Sequence, residues 1–267
     1  MNSLQGKVFV VTGASEGIGR ALCLRLAREG ACLTLAARNE ERLQSLHDEV
    51  IPLGAQALVL PTDVTREEDC KVLMRKTVER FGKLDVLVNN AGGTMWAPLE
   101  ELESLDVFEK LMRQNYLSCV YCTYHALSHL KESRGLIVAV SSLAGLTGVP
   151  CRTAYAATKH ALFGFFDSLR VELLGTGVDV TLIAPDFVKT EIHMRAIGLD
   201  GMPLGESPMQ EDKIMTADAC AEKILKAIRA RKRLSVPSSR GKLIRWARLV
   251  VPGWVDRKAA RAIREGR

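Results

Sequence analysis

The feature that most constrains the fold is a regular alternation of short apolar runs with longer helix-forming segments. The first run, Lys7-Val-Phe-Val-Val-Thr12, is rich in β-branched residues and leads through a turn into a helical pattern, and comparable pairs recur to about residue 236. Strands that are apolar throughout are typical of parallel sheets, because helices cover both faces. The sequence therefore predicts an α/β fold with a doubly wound parallel sheet of about seven strands, flanked by helices on both faces.

A glycine-rich turn joins the first predicted strand to the first helix. It reads Gly13-Ala-Ser15-Glu-Gly17-Ile18-Gly19. Glycine lets the backbone approach a pyrophosphate closely, and the N-terminus of the following helix attracts its negative charge. A glycine cluster alone also forms ordinary tight turns. The strand before it and the helix after it predict a Rossmann-type dinucleotide-binding loop.

The residues after the second predicted strand indicate which dinucleotide binds. Where an NAD-preferring site has an acidic residue against the ribose 2′-hydroxyl, this chain has Ala37-Arg38-Asn39. A guanidinium binds a 2′-phosphate through two charge-assisted hydrogen bonds, whereas a carboxylate repels it. NADP(H) is therefore the predicted cofactor. The alternative is that Arg38 only neutralises Glu40 and Glu41 at the start of a solvated helix.

Short polar motifs follow the third, fourth and fifth predicted strands. Binding sites in parallel sheets lie beyond the carboxyl ends of the strands, so these motifs are candidates for contact with cofactor and substrate. The first is placed to reach an adenine, and the small residues of the second let the backbone pass beside a cofactor. The motifs are Asp63-Val64, Asn89-Asn90-Ala91-Gly92 and Ser141-Ser142.

Tyr155 and Lys159 lie four residues apart at the start of an apolar, helix-forming run. In an α-helix this spacing places both side chains on one face. A free tyrosine has a pKa of about 10, and a neighbouring ammonium group stabilises a phenolate. The pair therefore predicts a proton-transfer site, although the same spacing also occurs by chance on many helices.

Together, these motifs resemble those of the classical short-chain dehydrogenases/reductases. The similarity covers about residues 4–236 and is specific because six motifs occur jointly in family order and spacing. The matching segments are 12–19, 89–92, Asn115, Ser142, Tyr155-x-x-x-Lys159 and 185–190.

The resemblance implies an oxidoreductase that transfers a hydride between NADP(H) and a carbonyl or secondary alcohol. It assigns Tyr155 as general acid/base and Ser142 as a hydrogen-bond donor to the substrate oxygen. Lys159 is implied to contact the nicotinamide ribose, and Asn115 to hold a water relay behind it. The predicted catalytic residues are therefore Asn115, Ser142, Tyr155 and Lys159.

The same resemblance extends the predicted cofactor site to the loop after the sixth strand. There Val188 and Thr190 are implied to hold the carboxamide of the nicotinamide. The complete set of predicted cofactor-binding residues is Gly13, Ser15, Gly17, Ile18, Gly19, Arg38, Asn39, Asp63, Val64, Asn90, Ala91, Gly92, Tyr155, Lys159, Pro185, Val188 and Thr190.

Two positions depart from the family pattern. The chain has Pro185-Asp186 where the family has Pro-Gly, which introduces a carboxylate beside the expected nicotinamide. Aspartate tolerates unusual backbone angles better than most residues, so the loop is expected to persist. Glu16 stands where some NADP-preferring relatives have a basic residue. The prediction of a 2′-phosphate therefore rests mainly on Arg38.

We predict one domain followed by an extension. Residues 1–239 form the NADP(H)-binding catalytic domain, and 240–267 form a basic amphipathic extension. Within the domain, 191–213 combines glycines and prolines with Met and Leu residues. Such a segment is typical of a mobile lid over a hydrophobic substrate, and an ordinary surface excursion is the alternative. We therefore expect an apolar or lipid-like carbonyl substrate.

The positive charge of the chain is concentrated near its C-terminal end. The net charge is +6, but residues 226–267 carry +12 and the preceding 225 residues carry −6. A basic amphipathic segment that contains Trp246 can lie on an anionic membrane surface. It can equally pack on a neighbouring subunit, frame the substrate mouth or dock on the body as a solvated helix. No recognised binding module accompanies the charge, so nucleic acid is not a predicted partner.

The composition, 47% hydrophobic and 25% charged, is typical of a globular protein. No run of about 18 apolar residues occurs, and the seven cysteines have no framework spacing. We therefore expect a cytoplasmic protein, peripherally membrane-associated if the extension binds lipid, without a metal site. The resemblance implies a homodimer or homotetramer.

A second interpretation belongs to a different class of function. The chain could be a catalytically silent regulatory or scaffold protein that binds the cofactor. The presence of Asn115, Ser142, Tyr155 and Lys159 argues against it, because such a protein has no chemical reason to retain all four.

Overall fold

The structure is a computed structural model that describes residues 3–210, 212 and 214–264, except for the side chains of 262 and 263. Parts of the three predicted regions lie outside the described residues. These parts are 1–2 of the catalytic domain, Glu211 and Lys213 of the lid segment, and 265–267 of the extension.

Strands and helices alternate along the chain as the sequence predicts. The strands are β1 (Val8–Thr12), β2 (Cys32–Ala37), β3 (Gln56–Pro61), β4 (Val86–Asn89), β5 (Leu136–Val140), β6 (Asp179–Ile183), β7 (Val188–Lys189), β8 (Met215–Thr216) and β9 (Leu234–Ser235). The helices are α1 (Gly17–Ala27), α2 (Glu40–Val50), α3 (Glu67–Phe81), α4 (Asp106–Met112), α5 (Ser118–Ser133), α6 (Thr153–Glu172), α7 (Ala217–Arg229), α8 (Ser239–Val250) and α9 (Pro252–Arg264).

The central sheet has seven strands in the order β3-β2-β1-β4-β5-β6-β9, and every neighbouring pair is parallel. This confirms the predicted Rossmann-type, doubly wound sheet. The order reverses direction next to β1, so the loops after β1 and β4 diverge and leave a crevice at the carboxyl edge. The predicted motifs lie at this edge.

Two apolar clusters hold the helices against opposite faces of the sheet. Residues of α1, α2 and α7, such as Leu22, Leu43 and Ile224, pack on one face. Residues of α3, α5 and α6, such as Leu73 and Phe166, pack on the other. The central strands β1, β4 and β5 are buried at every position, which explains why their sequences are apolar without alternation.

The structure differs from the predicted element pattern in two places. The helical pattern of the sequence over 106–130 predicts one continuous helix, but a π-helical turn, Arg113–Leu117, separates α4 from α5. In addition, β7 and β8 form a separate two-stranded parallel sheet. Strands of two residues carry too little periodicity to be detected in a sequence.

The extension folds into α8 and α9. Ser238 caps α8, because its Oγ accepts a hydrogen bond from the Gly241 amide at 2.9 Å. Val255 of α9 is buried, whereas Trp246 and Leu249 of α8 are 63% and 72% exposed. The extension therefore docks one face on the body and leaves apolar side chains at the surface. Among the described residues, every helix is too short or too polar to span a bilayer.

Candidate active site

A cavity of about 1140 Å³ lies beyond the carboxyl ends of the strands. The lid segment, through residues such as Ile197 and Pro203, and the extension both contribute to its walls. Most of the predicted site residues line it. These are Gly13, Ser15, Gly17, Ile18, Arg38, Asn39, Asp63, Val64, Asn90, Ala91, Gly92, Ser142, Tyr155, Lys159, Pro185, Val188 and Thr190.

The glycine loop has backbone angles that only glycine adopts easily, and it leaves the main chain accessible to a bound group. Gly13 and Gly17 have φ angles of +65° and +53°, in the left-handed region that favours glycine. Gly19 does not line the cavity, and a Cβ there would lie 2.2 Å from the Gly13 carbonyl oxygen. Gly19 is therefore needed for packing of the loop against the start of α1.

The N-terminus of α1 is open to an anion. Glu16 occupies its N-cap position without a capping hydrogen bond from its side chain, and the first turn contains no acidic residue. Free first-turn amides and the helix dipole favour a negative group at this end.

Charged residues surround the mouth of the cavity near Arg38. Arg42 contacts Glu16 at 2.6 Å and Glu191 at 2.9 Å, and Arg195 also pairs with both carboxylates. These contacts neutralise Glu16, and the hydrogen bond from Arg42 holds the pKa of Glu191 below its ordinary value. Arg38 is exposed, lines the cavity and makes no ion pair with another described residue.

Two of the predicted cofactor residues already make structural hydrogen bonds. Asn39 caps α2, because its Oδ1 accepts from the Arg42 amide at 2.8 Å. Asp63 Oδ1 accepts from the backbone amide and the hydroxyl of Thr65 at 3.0 Å and 2.8 Å. Both residues line the cavity, but these side-chain oxygens primarily shape its wall.

Asn90 ties the loop after β4 to the end of β1. Its side-chain Nδ2 donates to the carbonyl oxygens of Thr12 and Gly13 at 3.0 Å and 3.2 Å. Its backbone N–H donates to Thr12 Oγ1 at 3.0 Å. Ala91 and Gly92 continue along the cavity wall. This cross-link fixes the two loops that flank the switch point of the sheet.

Ser142, Tyr155 and Lys159 all line the cavity. Ser142 Oγ accepts from the Ala144 amide at 3.1 Å, so its hydroxyl hydrogen remains available for donation. Lys159 Nζ donates to the Val140 carbonyl at 3.1 Å and lies 5.6 Å from the centre of the Tyr155 ring. Both Tyr155 and Lys159 are buried. The spacing on α6 thus places a phenol and an ammonium over one surface, as predicted.

Asn115 lies behind the cavity rather than in its wall. It sits in the π-helical turn and is fully buried. Its Oδ1 accepts from the Gly93 amide at 2.7 Å, and its Nδ2 donates to Gly93 O at 3.0 Å and Thr158 Oγ1 at 2.9 Å. Asn115 therefore connects the π-helical turn, the loop after β4 and α6.

Asp186, the departure from the family pattern, contacts the extension. Both carboxylate oxygens accept hydrogen bonds from Arg240 at 2.8 Å, and Ser238 Oγ lies 3.2 Å from Oδ2. The Asp186 hydrogen bonds raise the pKa of the Arg240 guanidinium. The carboxylate is therefore turned toward α8 and is neutralised there.

Several residues of the cavity wall were not predicted from the sequence. Arg152 lies three residues before Tyr155, and its buried side chain lines the cavity. The extension adds Leu243, Ile244, Trp254 and Val255 to the wall. The amphipathic pattern predicted helices but carried no information on where their apolar face docks. Within the described ranges, no group of three or more His, Cys, Asp or Glu side chains is arranged to hold a metal ion.

The fold and the cavity define a dinucleotide-binding α/β protein, and comparison with known proteins identifies its family. Residues 7–197 match the family described as short chain dehydrogenase. The chain belongs to this family, whose members are oxidoreductases that act on alcohol or carbonyl groups with nicotinamide cofactors.

Individual relatives extend over most of the chain. It is 32% identical to a dehydrogenase/reductase SDR family protein 7-like of Dictyostelium discoideum, across 96% of this chain and 81% of that protein. It is 37% identical to 11-beta-hydroxysteroid dehydrogenase A of Sesamum indicum, across 87% and 69%. An alcohol dehydrogenase of the archaeon Thermococcus sibiricus, solved with 5-hydroxy-NADP, superposes with a TM-score of 0.75 at 29% identity, covering 86% of this chain and 94% of that one.

Proposed function

We propose that the protein is an NADP(H)-dependent carbonyl reductase or secondary-alcohol dehydrogenase for an apolar, lipid-like substrate. The observation that carries this proposal is the cavity that joins the glycine loop and Arg38 to Ser142, Tyr155 and Lys159. Two relatives support it by their names, an 11-beta-hydroxysteroid dehydrogenase and an alcohol dehydrogenase complexed with 5-hydroxy-NADP.

The residues present fit a phosphorylated dinucleotide. The glycine loop and the uncapped N-terminus of α1 would receive the pyrophosphate, because both offer backbone amides without a side chain in the way. Arg38 would bind the 2′-phosphate, since its guanidinium faces the cavity without a carboxylate partner among the described residues. Asp63, Val64 and the 185–190 loop would line the adenine and nicotinamide ends.

The proposed mechanism assigns the proton transfer to α6. When bound, the nicotinamide cofactor supplies the hydride. Tyr155 gives its proton to the carbonyl oxygen during reduction, and the Ser142 hydroxyl donates a hydrogen bond to the same oxygen. Lys159 lies beside the phenol, where its charge stabilises the phenolate that remains. Asn115 positions α6 through Thr158 and holds the backbone of Gly93.

Several segments contribute apolar side chains to the wall around the substrate end. Val149, Ile192, Ile197 and Leu243 come from the loop before α6, the lid segment and α8, and Val255 comes from α9. Apolar surface of this kind binds a hydrophobic substrate by removing its hydrocarbon from water. This surface supports the expectation of an apolar substrate. The extension contributes to it together with the lid segment.

The proposal is tested by measuring NADPH oxidation with a panel of ketones and aldehydes that includes ketosteroids and long-chain oxo compounds. We expect turnover with apolar members, and a loss of roughly 100-fold or more in Tyr155→Phe with NADPH affinity retained. Near-normal turnover in that variant would remove Tyr155 from its assigned role. NADPH binding without turnover of any compound would favour the catalytically silent alternative.

We also propose that the extension contacts an anionic membrane surface. Leu249 and Val250 are 72% and 81% exposed, and Trp246 lies one turn before Val250. Arg245 and Arg248 accompany them on α8. Apolar side chains among basic ones are suited to the boundary between headgroups and acyl chains.

Co-sedimentation with phosphatidylserine vesicles tests this contact. We expect the wild-type protein in the vesicle pellet, and we expect a Trp246→Ser, Leu249→Ser variant to remain in the supernatant. Equal recovery of both in the supernatant would reject this contact.

Self-association through α5 and α6 is the second proposed contact. Tyr124 on α5 and Val171 on α6 are 72% and 65% exposed, as is Leu174 at 75% just beyond α6. Burial of such residues against a second copy would remove apolar surface from water. We expect a homodimer or homotetramer by light scattering, and a monomer at micromolar concentration would contradict this.

A further inference from the structure

Three aromatic rings surround the guanidinium of Arg152, and together we call them the aromatic cage. The guanidinium carbon lies 4.7 Å from the centre of the Trp96 ring, 5.0 Å from that of Phe187 and 5.8 Å from that of Tyr155. Ring faces attract a cation, but they do not satisfy the in-plane N–H donors of a guanidinium. The cage therefore attracts the charge without providing hydrogen-bond acceptors.

The Arg152 side chain has buried donors without acceptors. The residue is 4% exposed, and its Nε and Nη2 have no hydrogen-bond partner among the described residues. Buried arginines are normally paired, because an isolated desolvated charge is unfavourable. Burial also lowers the pKa of Arg152 to about 10, so the guanidinium is still protonated at neutral pH. A charged group is thus buried beside the catalytic phenol with an incomplete set of contacts.

The carboxylates that line the cavity are engaged elsewhere. Asp186 is held by Arg240 and Ser238, although it directly precedes the cage residue Phe187. Glu16 pairs with Arg42, and Asp63 accepts from Thr65. Within the described part of the chain, these three are the acidic residues in the cavity wall. The described residues of the cavity wall therefore supply no free carboxylate to Arg152.

The two unpaired atoms of Arg152, Nε and Nη2, are the donors with which an arginine binds both oxygens of a carboxylate. Arg240 uses Nε and Nη2 for the two oxygens of Asp186, and Arg25 uses the same atoms for Asp218. In Arg152 the same two donors are buried and make no hydrogen bond to a described residue. An acceptor with two oxygens in one plane would bind them in the same geometry.

The backbone before α6 is held in a conformation that few residues adopt. Cys151 has φ of +60°, and its carbonyl accepts from the Ala97 amide at 2.9 Å. Left-handed backbone at a non-glycine residue is strained and persists where surrounding contacts enforce it. Here those contacts set the turn from which Arg152 enters the cavity, one helical turn before Tyr155.

We propose that Arg152 binds the carboxylate of the substrate, so that the substrate is an apolar oxo acid or the corresponding hydroxy acid. This inference rests on the proposed carbonyl chemistry and specifies the substrate class of the same site. Arg152 and Tyr155 are three residues apart at the start of α6, so the bound carboxylate lies close to the carbonyl that is reduced. The hydrocarbon part extends along the apolar wall formed by the lid segment and the extension.

The test compares acids with neutral isosteres in a binding measurement that requires no turnover. Enzyme saturated with NADP⁺ is titrated by calorimetry with phenylpropionate, phenylbutyrate and phenylvalerate and with their primary amides. We expect at least one acid to bind wild type roughly 10- to 100-fold more tightly than its amide. Arg152→Met should bind the acid and its amide with about equal affinity, and Arg152→Lys should retain part of the preference for the acid.

Arg75→Met is the matched control, because it removes the same charge from an exposed position on α3. Its preference for acid over amide should equal that of wild type. The proposal is overturned if wild type shows no preference in any of the three pairs, or if Arg152→Met keeps the wild-type preference. NADPH affinity and thermal midpoint are recorded for each variant. If Arg152→Met does not fold, the wild-type preference and its reduction in Arg152→Lys decide the question.

The two proposals fail in different ways. Absence of turnover with every carbonyl compound would reject the proposed function, while the titration would still decide whether Arg152 selects carboxylates. Conversely, turnover of neutral ketones by an enzyme that binds acids no better than amides would keep the carbonyl chemistry and reject the role of Arg152.

Discussion

Asp186 and Arg240 form a bidentate ion pair between the loop after β6 and the first turn of α8. Both N–H···O distances are 2.8 Å, and the Asp186 side chain is 12% exposed. Ser238, which caps α8, contacts the same carboxylate. Asp186 therefore connects the extension to the loop after β6, and both segments line the cavity.

Arg240→Met should loosen α8 and α9 without unfolding the domain. Because the Arg240 side chain is 46% exposed, we expect a loss of only about 1 kcal/mol. Hydrogen exchange should accelerate in 239–264, and KM for apolar substrates should rise severalfold with a smaller change in kcat. Arg25→Met is the control, since it breaks an equivalent pair with Asp218 between α1 and α7. Unchanged exchange in Arg240→Met would show that packing alone holds the extension.

Arg38→Ala should weaken NADPH binding and leave NADH binding nearly unchanged. The expected loss is roughly 10- to 100-fold in NADPH affinity, the range for charge-assisted hydrogen bonds to a phosphate. Fluorescence titration with both cofactors measures it, with Arg66→Ala, exposed at the start of α3, as control. Tighter binding of NADH than NADPH by wild type would reverse the cofactor assignment.

Gly19→Ala and Gly164→Ala should shift stability in opposite directions. A Cβ at Gly19 would meet the Gly13 carbonyl at 2.2 Å, so we expect a loss of about 1–3 kcal/mol and weaker cofactor binding. A Cβ at Gly164, exposed within α6, meets nothing within 4 Å, and alanine there should add up to about 1 kcal/mol. Urea unfolding measures the free energy of unfolding of both variants. Equal changes in the two would refute the steric clash that we infer at Gly19.

Asp85→Asn should be destabilising at neutral pH and much less so in acid. Burial opposes ionisation of Asp85, but hydrogen bonds from Lys7, the Val8 amide and Lys83 prevail and lower its pKa. A lowered pKa contributes stability that is present above the unfolded-state value of about 4 and is lost as pH falls through the folded-state value. We expect a loss of about 1–3 kcal/mol at pH 7 from urea unfolding. A difference between wild type and variant that did not shrink toward pH 3 would contradict this linkage.

The sequence predicted the sheet, and it selected residues that line the cavity, because local patterns encode both. Apolar runs identified the strands, and the glycine spacing identified the loop, since neither depends on distant contacts. Asn39 and Asp63 show what local sequence patterns do not predict. Their positions in the cavity wall were foreseen, but the capping bond to Arg42 and the turn with Thr65 were not.

The substrate end was less predictable, because it is assembled from segments far apart in the chain. Arg152 has no recognisable motif, and its significance arises from Trp96 and Phe187, which approach it only in the folded state. Likewise, the contact of Asp186 with Arg240 spans 54 residues. Long-range packing of this kind leaves no periodic signal in the sequence.

The π-helical turn at Arg113–Leu117 makes the position of Asn115 depend on chain length as well as on residue type. A π-helical turn is wider than an α-helical turn, so it accommodates one additional residue between α4 and α5. Removing one residue from 113–117 would convert the turn to regular α-helix and leave the faces of α4 and α5 largely unchanged, but Asn115 would lose its position beside Gly93 and Thr158. The polar cluster around Asn115 therefore depends on the number of residues in this turn, and single substitutions alone would not reveal that dependence.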